Sequence, residues 1–125
     1  MLWTTSQSSV LAPDLRLDGA AAAAPVADLV HLEHAQGQAW AQDAAKQDPP
    51  PQGAVPVLVV QGTKDAVVSA SVTEKVMAPW CAAGANVTLK MIPGATHESV
   101  TTAASRTVVN WFAERLAGRK ATSHC

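Results

Sequence analysis

The run Pro56-Val-Leu-Val-Val-Gln-Gly62 constrains this chain more than any other feature. Val57, Leu58, Val59 and Val60 follow one another with no polar residue between them, so a strand built from them must be covered on both faces. Strands of that kind belong to parallel sheets flanked by helices. Two further strands are expected. In "NVTLKMI", Asn86 to Ile92, Val87, Leu89 and Met91 alternate with Thr88 and Lys90, giving one buried and one wetter face, as at a sheet edge. "LRLDGAA", Leu15 to Ala21, is a weaker strand because alanine is a poor strand former. The alanine run Ala20–Ala24 reads as close packing of a strand end and its loop.

Helices are expected between and after these strands. Ser71-Val-Thr-Glu74 has the form of a capping box, and Val72, Val76 and Trp80 follow at helical spacing. Pro79 weakens the last turn of this helix and Gly84 ends it. A final helix is expected from Glu98 to Ala117, with Ala104, Val108, Trp111 or Phe112, and Leu116 as its apolar stripe. Gly118 stops it, and Arg119 and Lys120 lie beside its negative end. Another helix is expected within Asp28–Lys46, and "QDPPPQGAVP" excludes helix and serves as a stiff connector. The alternation predicts an α/β fold, a small parallel sheet of about three strands with flanking helices and right-handed crossovers. One domain is expected over 1–125: residues 1–54 carry an N-terminal helix, the weak strand, a helix and the connector. Residues 55–118 form a βαβα unit, and 119–125 a tail.

Charge narrows the partners. The formal net charge is -1, charged residues make up 15% of the chain, and Lys and Arg do not cluster, which argues against nucleic acid or an anionic membrane. No apolar run approaches the ~18–20 residues of a membrane-spanning helix. The start, MLWTTSQSSV, lacks the basic-then-apolar order of a signal peptide. Cys81 and Cys125 are the only cysteines, with no metal-binding spacing. They are either two free thiols or one bridge tying the tail to the Cys81 helix, the latter adding roughly 3–4 kcal/mol.

In a parallel sheet, ligands bind beyond the carboxyl ends of the strands. Asp65 follows the second strand in "VVQGTKDAVV" and His97 follows the third in "KMIPGATHESV". Neighbouring strands lie ~4.8 Å apart, so the two loops emerge side by side. An aspartate beside a histidine fixes the imidazole tautomer and stabilises its protonated form, which equips the ring for general base and then general acid work. Either residue alone is better read as a loop or cap residue. The pair, in the order acid then histidine, is more specific.

"VPVLVVQGTKDAVV" and "VTLKMIPGATHESV" resemble the acid and histidine loops of α/β-hydrolases. "LAPDLRLDGAAAAAPVADL" (Leu11–Leu29), "CAAGANVTLKMIPGATH" (Cys81–His97) and "WFAERLAG" (Trp111–Gly118) resemble the secretory lipase and esterase family in particular. The resemblance implies that Asp65 is the acid and His97 the histidine of a catalytic triad. It implies a carboxylic ester hydrolase with no cofactor and no metal, acting on a small ester substrate, and a family that is exported. The chain departs from the family in two places. The resemblance lays Leu2–Leu15 on the helix that follows the nucleophile turn, and only a short connection stands between Leu29 and Val57 where the family carries a lid. That short connection and an exposed rim favour short or medium acyl chains.

Ser6, in the T-x-S-x-S of "TTSQSS", is the candidate nucleophile. An elbow needs a buried strand before it and small residues around it. Too few residues precede Ser6 for a strand, so a place on an ordinary helix is the competing reading. Ser69, Ser71 and Ser99 lie near the Asp65–His97 rim and are weaker substitutes; Ser71 is better explained as a helix cap and Ser99 as a first-turn residue after His97. His31-Leu-Glu-His34 sets two histidines and Glu33 on one helix face, but with no third ligand to assign it reads as a solvated face. His124 lies in the tail. Trp3, Trp40, Trp80 and Trp111 are expected as core or interface anchors. The first strand would leave an uncovered sheet edge, through which a homo-oligomer is expected to form. The alternative to an enzyme is a non-catalytic α/β-hydrolase remnant that acts as a binding or interaction module.

Overall fold

A computed structural model describes residues 5, 7–25, 42, 43, 46, 48 and 55–125. Three parallel strands form one sheet in the order β1 (Ala20–Ala23), β2 (Val57–Gly62), β3 (Val87–Ile92). A short helix α1 (Ser8–Leu11) precedes β1, α2 (Ala70–Ala82) connects β2 to β3, and α3 (Val100–Ala103) and α4 (Ser105–Leu116) follow β3. This is the expected α/β arrangement. The helix expected in Asp28–Lys46, the Pro-rich connector, the His31–His34 pair, Trp3, Trp40 and Ser6 lie largely or wholly outside the described residues.

β2 is buried along its whole length, as its unbroken apolar run requires. Its odd and even residues point to opposite faces. Val57 and Val59 pack with Val76, Trp80, Ala85 and Val87 beneath α2. Leu58 and Val60 pack with Ala95, Val100, Ala104 and Trp111 beneath α3 and α4. Each such aliphatic side chain contributes roughly 1.5–3 kcal/mol by leaving water. The sheet is therefore a layer with helices on both sides.

Several expectations are corrected. β1 is Ala20–Ala23, not Leu15–Ala21: its position is set by pairing with β2 in the register Ala20 to Val57 through Ala23 to Val60, which a poor strand former could not announce. Leu15 is exposed. α2 starts one residue before the expected capping serine. Ser69 occupies its N-cap without a side-chain cap bond, and Ser71 Oγ lies 2.8 Å from Ser69 Oγ. The buried face of α2 is Thr73, Val76 and Trp80, with Val72 half-buried. The last helix begins at Val100, not Glu98, because residues 97–99 form a turn, and it is broken at Ala104. Leu116 is 78% exposed and Arg115, at 7%, is buried in its place. Arg115 Nη2 donates to the Lys120 carbonyl at 2.9 Å and its guanidinium lies 5.0 Å above the Trp111 ring.

Both long helices end as the glycines predict. Gly84 and Gly118 have φ of 78° and 75°. The following N–H groups, of Ala85 and Arg119, reach back to the carbonyls of Trp80 and Glu114, which closes each helix with a Schellman turn.

Cys81 and Cys125 are bridged, which resolves the alternatives left by the sequence. The bridge holds the C-terminal tail against the outer edge of β3. There the His124 N–H donates to the Val87 carbonyl at 2.8 Å, and the Leu89 N–H donates to His124 Nδ1 at 3.2 Å. Thr88 Oγ1 donates to the Thr122 carbonyl, so Thr88 is buried rather than wet as its alternation predicted. The tail thus satisfies an edge that would otherwise be open to other chains.

Candidate active site

The site lies where β2 and β3 end. Gly62 closes β2, and a Cβ at that position would stand 2.3 Å from the Ala95 carbonyl oxygen. Only glycine lets the two loops approach so closely. The loop after β3 turns at Ile92-Pro93-Gly94-Ala95, where the Ala95 N–H donates to the Ile92 carbonyl at 3.3 Å and Gly94 has φ of 73°. Proline then glycine at the central positions is the requirement of a type II turn. The two loops are fastened by three hydrogen bonds: Thr63 N–H to the Ile92 carbonyl, Lys64 N–H to the Ala95 carbonyl, and Gly94 N–H to Thr63 Oγ1. His97 follows in a turn closed by Thr96 and Ser99, each backbone N–H donating to the other's hydroxyl.

His97 Nδ1 and Asp65 Oδ2 lie 3.0 Å apart across the junction of the loops. The Asp65 side chain is fully buried and that of His97 is 35% exposed. Asp65 Oδ1 accepts the backbone N–H groups of Val67 and Val68 at 2.9 and 2.8 Å. Burial acts to raise the Asp65 pKa. The Val68 N–H, the His97 hydrogen bond, the Val67 N–H and the His97 charge together outweigh it, and the carboxyl sits below its ordinary value. An ionised carboxylate opposite Nδ1 selects the tautomer with the proton on Nδ1 and leaves Nε2 as the basic nitrogen.

Of the residues singled out in the sequence, the structure brings Asp65 and His97 together. Ser69 and Ser71 are hydrogen-bonded to each other, and Ser99 to Thr96. Among the described residues no serine hydroxyl is hydrogen-bonded to His97. Ser6 lies outside the described residues, and His124 bonds to the edge of β3 rather than to this site.

The sequence reading missed Gln61. It is fully buried in β2 and donates from Nε2 to Asp65 Oδ2 at 3.2 Å. A polar residue inside an otherwise apolar central strand, four positions before the acid, was the signal available.

A search of curated proteins gives no match. The sequence profile described as "Secretory lipase" matches residues 41–124, more than half of the chain. That stretch contains β2, β3, α2 to α4 and both members of the Asp65–His97 pair. The chain belongs to the secretory lipase family.

Proposed function

We propose that the Asp65–His97 pair supplies the acid and base of a carboxylic ester hydrolase acting on small esters with short or medium acyl chains. The observation that carries this reading is the 3.0 Å contact between Asp65 Oδ2 and His97 Nδ1 on the rim beyond β2 and β3. Asp65 orients the ring and stabilises its protonated form. His97 Nε2 takes the proton of an attacking hydroxyl and returns it to the leaving alcohol. A serine nucleophile divides the barrier into two smaller steps through an acyl-enzyme, and water attacking directly is a much poorer route. The serine is Ser6 or one contributed by a second copy of the chain.

Association of two copies through the outer edge of β1 belongs to the same reading. Among the described residues no strand pairs with that edge, and a groove of ≈ 320 Å³ beside it is lined by Ala21, Ala22, Ala23, Val60 and Val109 among others. Sedimentation at micromolar concentration is expected to give a species heavier than 12.9 kDa; a sharp monomer boundary would remove this part of the reading.

Hydrolysis of a p-nitrophenyl ester is expected in the intact chain and is expected to vanish in His97→Ala. Unchanged turnover in that variant would take His97 out of the mechanism. The second reading, a non-catalytic binding module, is favoured by the lack of a described serine bonded to His97. Labelling with a fluorophosphonate probe and mapping the modified peptide decides between them. A labelled serine supports the hydrolase, and absence of labelling supports the module.

A further inference from the structure

We infer that Gln61 is a positioning residue for the Asp65–His97 pair, aiming the carboxylate at the imidazole through a hydrogen bond from its side-chain amide to Asp65 Oδ2. This rests on the ester-hydrolase reading and deepens it.

A primary amide near the carboxyl end of a buried apolar strand is costly to bury unless its donors and acceptor find partners. Gln61 is 0% exposed and finds them all. Nε2 donates to Asp65 Oδ2 at 3.2 Å and to the Val68 carbonyl at 3.0 Å, with the Gly62 carbonyl at 3.3 Å. Oε1 accepts the Thr73 hydroxyl of α2 at 2.7 Å. These partners fix the orientation of the amide. With its two ends exchanged, the oxygen would face Asp65 and Val68, both acceptors.

The consequence falls on the carboxylate. Oδ1 takes two backbone N–H groups and Oδ2 takes Gln61 Nε2 and His97 Nδ1, so the four acceptor positions of an ionised carboxylate are filled. The carboxylate is thereby locked in one rotation about its Cβ–Cγ bond. Without the amide, Oδ2 has His97 as its one remaining partner in this set, and the imidazole itself must then hold the acid in place. Thr73 completes the chain of contacts by anchoring the amide to α2. Packing alone asks for no amide here, since leucine or methionine would fill the same space.

The test uses the full-length chain and two readouts. One is the proton NMR signal of His97 Nδ1–H, assigned by its loss in His97→Ala. The other is the split between kcat and KM on a p-nitrophenyl ester. Gln61→Met keeps the volume and removes the donors. It is expected to move the Nδ1–H signal upfield, speed its exchange with water and lower kcat about tenfold, with KM little changed. Gln61→Glu gives a sharper signature. When protonated it can still donate to Oδ2, and when ionised it sets a second negative charge beside Asp65. The loss of the signal with rising pH is therefore expected to come at lower pH in Gln61→Glu than in the unaltered chain. Leu58→Ala, a destabilising change on the opposite face of β2 from Gln61, is expected to leave the signal in place. The inference is overturned if the signal and kcat are unchanged in Gln61→Met, or if Leu58→Ala shifts them equally. Should Gln61→Met fail to fold, the pH dependence of Gln61→Glu decides, and a profile that coincides with that of the unaltered chain overturns the inference. If Gln61→Met moves the His97 signal while His97→Ala keeps full esterase activity, the positioning contact stands and the hydrolase reading fails.

Discussion

Removing the Cys81–Cys125 bridge tests whether the tail is a structural part of the sheet. The two cysteines are 44 positions apart, so the bridge closes a loop of about that length. Loop-closure entropy for such a loop is ~13 cal/mol/K, or about 4 kcal/mol at 25 °C, most of it acting on the unfolded chain. Domains are stable by only about 5–15 kcal/mol, so a large share of the total is at stake. For a chain of this size the loss corresponds to a fall in Tm of roughly 15 °C. The assay is urea unfolding followed by tryptophan fluorescence, which reports on the buried Trp80 and Trp111. It compares the oxidised chain, the chain reduced with a phosphine, Cys125→Ser, Cys81→Ser and the double variant. All four altered forms are expected to lose about the same stability, because each opens the same loop. The urea m-value is expected to rise, since the unfolded chain expands when the link is cut. A loss under ~1 kcal/mol with unchanged m would refute the reasoning, as would serine variants whose effects add. Deleting residues 121–125 should cost more than Cys125→Ser, since it also removes the Thr122 and His124 hydrogen bonds to β3.

Three further outcomes are expected. Gly62→Ala places a methyl group 2.3 Å from the Ala95 carbonyl oxygen, a backbone atom, and should cost about 1–3 kcal/mol by driving the acid and histidine loops apart; thermal denaturation with a Tm within a degree of the unaltered chain would contradict the packing described. Asp65 has a folded pKa below its unfolded value, so its contribution to stability is complete above the unfolded value near pH 4 and is lost as pH falls through the lowered folded value. Asp65→Asn should therefore show a shallower loss of stability on acidification than the unaltered chain, measured by urea midpoints from pH 6 downward, and parallel curves would exclude the carboxylate as a source of acid sensitivity. Arg115→Ala should cost about 1–3 kcal/mol through its buried contacts with Trp111 and the Lys120 carbonyl, whereas Leu116→Lys should fall within about 0.5 kcal/mol of neutral. The reverse order in thermal unfolding would reinstate Leu116 on the core stripe.

That last pair shows how far helical spacing could be read. From Ala104, the positions in line on an α-helix include Trp111 and then Arg115, and both are buried. Arg115 stands in that line, but a stripe drawn from apolar residues alone passes over it. What admits it is tertiary: a tryptophan face beneath the guanidinium and a carbonyl of the returning tail beside it. A similar division holds at the site. The hydrogen bond between Asp65 and His97 was foreseeable, because each stands just past the end of a strand and parallel strands bring successive loops to one rim. Gln61 was not assigned a part, since its partners come from the loop after β2 and from α2, and no local pattern joins them.

The sequence by itself determined the central strand, the parallel topology, the two helix-ending glycines and the acid-histidine pair. Each of these is a local property: an unbroken apolar run, an alternation of periods, a backbone conformation that glycine tolerates, a residue at a strand tip. Only the tertiary structure decided where β1 pairs, that the two cysteines meet, that the tail seals the edge of β3, and that an amide inside β2 holds the acid. Those features depend on contacts between distant segments, and an alanine run, two isolated cysteines or a lone glutamine carry no local preference strong enough to announce them.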